Sequence, residues 1–324
     1  MEEKVLRGKK ILITGGTGSF GRFLLKYLLN EDCSEIVIFS RDEEKQVKLR
    51  EEIKDSRVRF VIGDVRDFER IFEASQGMDV IFHAAALKQV PNCEFNVMEA
   101  VKTNILGAEN VRRAAMLNRV EAVISISTDK AVKPVNVMGM TKALQERLMI
   151  QSNSGSTRFI VVRYGNVIGS RGSVIPLFKE KVLNNEPLPI TDFRMTRFLL
   201  TLNEAINLIM TAYIEGRGGE VFVKKLPAAK VVDIAKVMAK ALTNKSNYPM
   251  REIGIRPGEK VHEVLVSEEE IVRTVEYDQF YVILPYGKIN ESSLNNNLEE
   301  YTSRNTRILN ENEIYELLKA EGWL

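Results

Sequence analysis

Lys10-Ile-Leu-Ile-Thr14 is a short apolar run that passes directly into Gly15-Gly-Thr17-Gly18-Ser19-Phe20-Gly21, and then into an apolar-periodic helix through Leu29. A buried strand, a glycine-rich turn and a helix start, in that order, form a dinucleotide-binding unit and commit the chain to an open α/β sheet. Gly15 permits the tight turn, Gly18 lets backbone approach a pyrophosphate, and Gly21 lets helix and strand pack closely. The helix N-terminus then presents N–H groups to the phosphates. Thr17, Ser19 and Phe20, from the same turn, complete the cofactor contacts expected there.

The second strand, Glu35 to Phe39, ends in Ser40-Arg41-Asp42 about twenty residues beyond Gly21. Selection of NAD usually places an acid directly at that strand end, against the ribose 2′-hydroxyl. Here a hydroxyl and a guanidinium come first and Lys45 lies one turn into the next helix, a set suited to a 2′-phosphate. NADP is favoured over NAD. Asp42 could equally cap the helix Glu43 to Lys54.

The alternation repeats. Val58 to Ile62 is a strand followed by Gly63-Asp64-Val65, whose acid could reach the adenine amino group or cap the next helix. Asp79 to Phe82 is another, ending in His83-Ala84-Ala85-Ala86-Leu87-Lys88. Three small alanines there let a ribose and a nicotinamide approach the backbone, and His83 reads as a packed side chain. A helical stretch, Val97 to Leu117, leads to the strand Ala122 to Ile126. That strand opens into Ser127-Thr128-Asp129-Lys130, and Pro134 stops any helix there. Asn136 then caps a helix carrying Met138, Thr141 and Lys142. A strand ending in hydroxyl, acid and amine, with a helix returning a second amine, builds a site at the carboxyl edge of a sheet. Arg158 to Arg163 gives a sixth strand, left through Tyr164-Gly-Asn166-Val167. The pattern predicts a Rossmann-type, doubly wound parallel sheet.

Beyond Pro176 the elements shorten. Helix Asn203 to Tyr213 and strand Val221 to Val223 return to the sheet, and Val231 to Leu242 is an amphipathic helix. The expected domains are residues 1–172 with 198–224 returning to them, and a smaller C-terminal substrate-binding domain from 173–197 and 225–324. Arg171, Arg197 and Arg256, on loops after strand six, are candidates for clamping a diphosphate. The segment Asn290 to Arg304 looks loosely ordered, and Glu313 to Leu318 forms a short helix. With 46 basic and 44 acidic residues and a net charge of +2, neither nucleic acid nor a membrane surface is expected as main partner. Two cysteines make no disulfide framework, and no apolar run reaches the ~18–20 residues of a membrane span, so a soluble cytoplasmic protein is expected.

Gly15–Gly21, Ser40-Arg-Asp42, Gly63-Asp-Val-Arg-Asp67, His83–Lys88 and Ser127-Thr-Asp-Lys130 look like the extended short-chain dehydrogenase/reductases. Within them the chain resembles the 5-inverting UDP-N-acetylglucosamine 4,6-dehydratases of surface-polysaccharide biosynthesis. Tyr164-Gly-Asn-Val, Ser170-Arg-Gly-Ser-Val-Ile-Pro, Met195-Thr-Arg-Phe and Arg256-Pro-Gly-Glu-Lys extend the likeness over about residues 8 to 285, and Ser303-Arg-Asn-Thr-Arg-Ile-Leu309 resembles the tail of capsule-type members. The resemblance implies NADP as a catalytic cofactor and UDP-N-acetylglucosamine as substrate, held by Lys88, Asn166, Arg171, Val174, Arg197 and Arg256.

It also implies roles. After oxidation at C4, Lys130 removes the C5 proton, its pKa lowered by a neighbouring cation and exclusion of water. Asp129, held protonated, gives its proton to the departing C6 hydroxyl. Thr128 bonds the 4-hydroxyl and Lys142 the nicotinamide ribose. Relatives self-associate, which implies a dimer-based homo-oligomer, up to a hexamer, through helices near Val97–Leu117 and Thr141–Ser152. One departure stands out: the superfamily's Tyr-x-x-x-Lys reads Met138-Gly-Met-Thr-Lys142, and methionine accepts no proton. Oxidation at C4 then needs another base, with Asp129, a Thr128-linked water or Lys142 as candidates. The alternatives are a UDP-sugar 4-epimerase and a non-catalytic NADP-binding sensor.

Overall fold

The computed structural model describes residues 4–152, 155–170, 172–288 and 299–324. Its first half alternates strands with helices: β1 (Lys10–Thr14), α1 (Ser19–Leu28), β2 (Glu35–Ser40), α2 (Glu43–Glu52), β3 (Val58–Ile62), α3 (Phe68–Ala74) and β4 (Val80–His83). Next come α4 (Val90–Phe95), α5 (Val97–Ala100), a π-helical turn (Val101–Leu106), α6 (Gly107–Leu117), β5 (Ala122–Ile126), a 3₁₀ turn (Asp129–Ala131), α7 (Val137–Ile150), β6 (Arg158–Arg163) and β7 (Asn166–Val167). Ile11, Leu12 and Ile13 of β1 and Val80, Ile81 and Phe82 of β4 are fully buried, as expected of a sheet covered by helices on both faces.

The second half comprises α8 (Val174–Leu183), β8 (Leu188–Ile190), β9 (Thr196–Leu200), α9 (Leu202–Glu215), β10 (Val221–Lys224), β11 (Ala228–Lys230), α10 (Val231–Thr243) and β12 (Met250–Glu252). It closes with β13 (Val264–Val266), α11 (Glu268–Ile271), β14 (Thr274–Glu276), β15 (Phe280–Ile283), β16 (Tyr301–Thr302) and α12 (Glu311–Ala320). The main sheet has nine strands in the order β14-β15-β10-β6-β5-β4-β1-β2-β3. Pairing is parallel from β3 to β10, and β15 and β14 add antiparallel at the far edge. The chain reverses its direction of winding between β1 and β4, where an open α/β sheet leaves a crevice at the strands' carboxyl ends.

Three small sheets, β11-β9-β7, β12-β8 and β13-β16, lie beside that edge. A second apolar core, including Phe178, Leu188, Ile234, Met238, Ile314 and Leu318, joins α8, α10 and α12. Residues 274–283, assigned by the sequence reading to the substrate-binding portion, instead extend the main sheet as β14 and β15.

Two further expectations are refined. The stretch Val97 to Leu117 is helical throughout, but a π turn widens it at Val101–Leu106, where buried Asn104 accepts from Leu87 N (2.8 Å) and donates to Thr141 Oγ1 (2.9 Å). A tertiary contact thus overrides helical periodicity. Of the segment expected to be loose, residues 290–298 lie outside the described residues. The remainder is built in, since β16 pairs with β13 and Ser303 is fully buried. Around the widened helix and α7, Met98, Leu106, Met140 and Leu144 are exposed. Among the described residues no helix is long and apolar enough to cross a membrane.

A buried ion cluster ties the halves together. Arg163, at the end of β6, donates to both oxygens of Glu146 on α7 (3.0 and 2.6 Å) and of Glu270 on α11 (2.8 and 3.0 Å), and also to Leu265 O (2.8 Å). Ser127, at the end of β5, donates to the same Glu146. The loop leaving β5 is therefore anchored through one guanidinium to the C-terminal portion.

Candidate active site

A single cavity of about 940 Å³ runs along the carboxyl edge of the sheet from the glycine-rich turn to Arg256. At one end, Gly15 has φ +69°, and a Cβ there would lie 2.8 Å from Ala85 N and 2.9 Å from the Ala84 carbonyl carbon. Only glycine fits where β1's turn meets the alanines after β4. No side chain caps the start of α1 at Gly18, so that helix N-terminus stays open toward an anion. This cradle fits a dinucleotide. Around it stand Thr17, Ser19, Phe20, Gly21, Ser40, Arg41, Asp42, Lys45, Asp64, Val65, Ala84, Ala85, Ala86 and Lys88, all on the cavity wall.

Charge beyond β2 is partly committed. Asp42 caps α2, accepting from Lys45 N at 3.0 Å, and its carboxylate pairs with the Lys45 ammonium. Arg41 reaches Asp64 at 3.4 Å and is half exposed. Asp64 also accepts from Arg66, whose guanidinium outweighs burial and holds the carboxyl below its ordinary range. His83 is fully buried against Thr14 (2.8 Å), and burial pushes its imidazole down to about 3, so it stays neutral.

At the middle of the cavity, β5 delivers the turn Thr128–Lys130. Asn136 caps α7 from outside, accepting from Gly139 N and donating to Gly258 O, both at 2.7 Å. Gly139 passes so near the turn that a Cβ would lie 2.2 Å from Lys130 O. Asp129 N donates to Tyr164 O (3.1 Å), fixing the turn to the exit of β6. Thr128 Oγ1 and Lys130 Nζ both donate to Asp129 Oδ1, at 2.9 and 3.0 Å. Lys130 Nζ also lies 3.5 Å from Asn166 Oδ1 and 3.3 Å from Glu263 Oε1.

Asp129 itself does not face the cavity. It is 0% exposed, and its Oδ2 has no hydrogen-bond partner among the described residues. Thr128 and Lys130 stand between it and any ligand. Burial raises its pKa above the ordinary carboxylate value, with Lys130 and the Thr128 hydroxyl opposing. Lys130 departs from the sequence reading, which expected a lowered pKa. Burial does pull it down, but the carboxylates of Asp129 and Glu263 outweigh burial and Arg197 together, so it is held as ammonium.

Met138 fills the usual tyrosine position and packs in a small apolar cluster with Cys93 and Ala100. Tyr164 also lines the cavity, but burial pushes its phenol up and away from use as a base. Lys142 donates to Ile126 O and to Gln145 Oε1 (2.8 Å), and burial lowers it to about 8, with Glu146 opposing. Further along stand Asn166, Val174 and Arg256. Arg197 lies within β9 rather than on a loop, buried, donating to Thr196 O (2.8 Å) and Val261 O (3.2 Å). Arg171 lies outside the described residues. Sequence reasoning missed Glu263, for which no local spacing gives a signal, and Gln89, next to Lys88 on the same wall.

A family model described as "Polysaccharide biosynthesis protein" matches residues 11–285. UDP-glucose 4-epimerase of Rickettsia bellii (strain RML369-C) is 47% identical over 326 residues, spanning 96% of this chain and 95% of that protein. The X-ray structure of Pen from Bacillus thuringiensis superposes with a TM-score of 0.93 at 37% identity, covering 99% of each chain. DesIV, a dTDP-glucose 4,6-dehydratase from Streptomyces venezuelae solved with NAD and TYD bound, is 21% identical with a TM-score of 0.71, over 78% of this chain and 86% of that one. At that identity the likeness is one of fold.

Proposed function

The chain belongs to the polysaccharide biosynthesis protein family, with the extended short-chain dehydrogenase/reductase fold of nucleotide-sugar dehydratases and epimerases, and on that premise we propose that it is an NADP-dependent UDP-N-acetylglucosamine 4,6-dehydratase inverting C5. The observation that carries this reading is the Thr128-Asp129-Lys130 turn. It sets an amine on the cavity wall and a carboxyl of raised pKa directly behind it, the two joined by a hydrogen bond. Moving a hydride at C4 needs no such couple; removing a C5 proton and expelling the C6 hydroxyl does.

NADP, when bound, supplies the hydride acceptor and donor. The chain's own residues handle the protons. The neutral Lys142 amine gives its two N–H bonds to Ile126 O and Gln145 Oε1, which leaves its lone pair for the C4 hydroxyl proton. Lys130 passes its own proton to Asp129 along the hydrogen bond between them, and the neutral amine takes the proton from C5. Asp129, now the acid, protonates the Thr128 hydroxyl, which at rest donates to Asp129 Oδ1 and in this step turns its own proton to the C6 oxygen, and water departs. A solvent proton then reaches the opposite face of C5, away from Lys130, and inverts that centre.

Incubation with UDP-N-acetylglucosamine and NADP in D₂O tests the reading by NMR. A 4-keto-6-deoxy product with deuterium at C5 supports it. A second reading, a UDP-sugar 4-epimerase, is favoured by the name of the Rickettsia relative. It would yield an isomer of unchanged mass, and that product alone would replace the dehydratase assignment.

Two dependences follow. Because Lys142 must be neutral to accept a proton and its pKa lies at about 8, single-turnover formation of the 4-keto sugar should rise with pH through about 8 and level off above it. A profile flat from pH 6 to 9, on the order of three units, excludes Lys142 as that base. Arg41→Ala should weaken NADP binding roughly tenfold or more and NAD binding hardly at all, since hydrogen bonds to a charged group contribute about 1.5–3 kcal/mol. Equal losses in calorimetric titrations would remove Arg41 from the 2′-phosphate.

A further inference from the structure

Glu263 immediately precedes β13 and lines the cavity, 2% exposed. Its Oε1 lies 3.3 Å from Lys130 Nζ and 3.7 Å from Arg197 Nε, while Oε2 has no hydrogen-bond partner among the described residues. Lys130 thus sits between two enclosed carboxylates, Asp129 from its own turn and Glu263 from a strand more than a hundred residues later, each with one oxygen unspent. Arg197 on β9 is a second cation at Glu263, 3.7 Å from the same Oε1. Lys260 lies close by, donating to Val132 O and interacting with Glu263, Asp129 and Lys130, with Glu300 beyond it.

We propose that Glu263 is a positioning residue for the base of the reaction: its carboxylate holds Lys130 Nζ at the cavity wall and sets the pH above which that amine is free to take a proton. The proposal rests on the dehydratase reading for its consequence and on this geometry for its cause. An opposite charge within hydrogen-bonding reach stabilises ammonium, and in an enclosed site the effect is large because water screens little. Arg197 moderates it by sharing the same Oε1. Glu263, with Lys130, Arg197 and Lys260 outweighing its burial, stays ionised and able to exert that hold.

The test reads the amine directly. Trace acetylation of the purified full chain with NADP present, followed across pH by mass spectrometry of the Lys130 peptide, gives the midpoint at which Nζ loses its proton. In the wild type this should lie above the ordinary lysine value of about 10.4. In Glu263→Gln, which keeps the size and hydrogen-bonding of the side chain, it should fall by about 1–3 units. The rising limb of C5 deuterium exchange should move to lower pH by the same amount, a shift that general loosening of the site would not produce. A wild-type midpoint at or below about 10.4, or an unchanged midpoint in Glu263→Gln, overturns the proposal. The wild-type arm decides alone if the variant fails to fold. Because acetylation needs no turnover, a protein with the expected midpoints and no dehydration would retire the reaction assignment and leave the Glu263–Lys130 coupling standing.

Discussion

Lys130→Ala should lose incorporation of solvent deuterium at C5 by roughly 10²–10⁴-fold while still binding cofactor and sugar nucleotide. The amine is on the wall, and the other groups that touch it are poor substitutes as bases. Asp129 is enclosed behind its neighbours, Asn166 is an amide, and Glu263 is held by Lys130 and Arg197. Lys142, held by Ile126 O and Gln145 Oε1, is assigned to the C4 hydroxyl and makes no contact with Lys130 among the described hydrogen bonds. Oxidation at C4 should survive in this variant, so the 4-keto hexosamine should accumulate without loss of water. Exchange at C5 within a few-fold of the wild type would show that the elimination is carried elsewhere and that this turn has another purpose.

Arg163→Met should destabilise the fold by about 3–5 kcal/mol, the cost of leaving buried charge without its counter-ion. Glu146 and Glu270 both point at the guanidinium, and neither has water to fall back on. Replacing the whole cluster, with Glu146→Gln and Glu270→Gln added, should recover much of the loss, because the penalty comes from the unpaired carboxylates. Urea unfolding of the three proteins measures this, and a loss below about 1 kcal/mol for the single variant would mean the cluster is not the anchor described. The pH dependence has a definite sign. Burial would raise Glu270, but Arg163 outweighs it and holds the carboxyl below its ordinary value. Its contribution is therefore full above the unfolded glutamate value of about 4.3 and is lost as pH falls through the lower folded value.

What the sequence made legible was what neighbouring residues decide among themselves. The turn from β1 to α1 is written in consecutive glycines, and the cap of α2 in Asp42 three residues before Lys45. The parallel, doubly wound sheet follows from short apolar runs alternating with helical stretches. Distant residues decided the rest. The helix through 97–117 takes a π turn where Asn104 answers to Leu87 and Thr141. Lys130 is held as ammonium against its burial by Asp129 and by a second carboxylate from residue 263, which no pattern around Lys130 announces. Asp129 reads as a front-line acid by its place after Thr128, yet the backbone hydrogen bond to Tyr164 belongs to a turn that keeps its carboxyl behind its neighbours. Sequence spacing places a residue on a loop but does not say which atoms of it meet the ligand.

The clasp on Arg163 draws on residues 17 positions before it and 107 after it. A ribosome that has finished the six nucleotide-binding strands has therefore not yet supplied the second carboxylate of the clasp, nor Glu263, the second neighbour of Lys130. Domains commonly fold as they emerge, N-terminal part first. Here the early sheet waits with part of its charge unanswered until α11 has been translated. Maturation of the active turn is thus timed by the late arrival of the chain's C-terminal portion, and a product truncated before that point would be a folding intermediate rather than a slower catalyst.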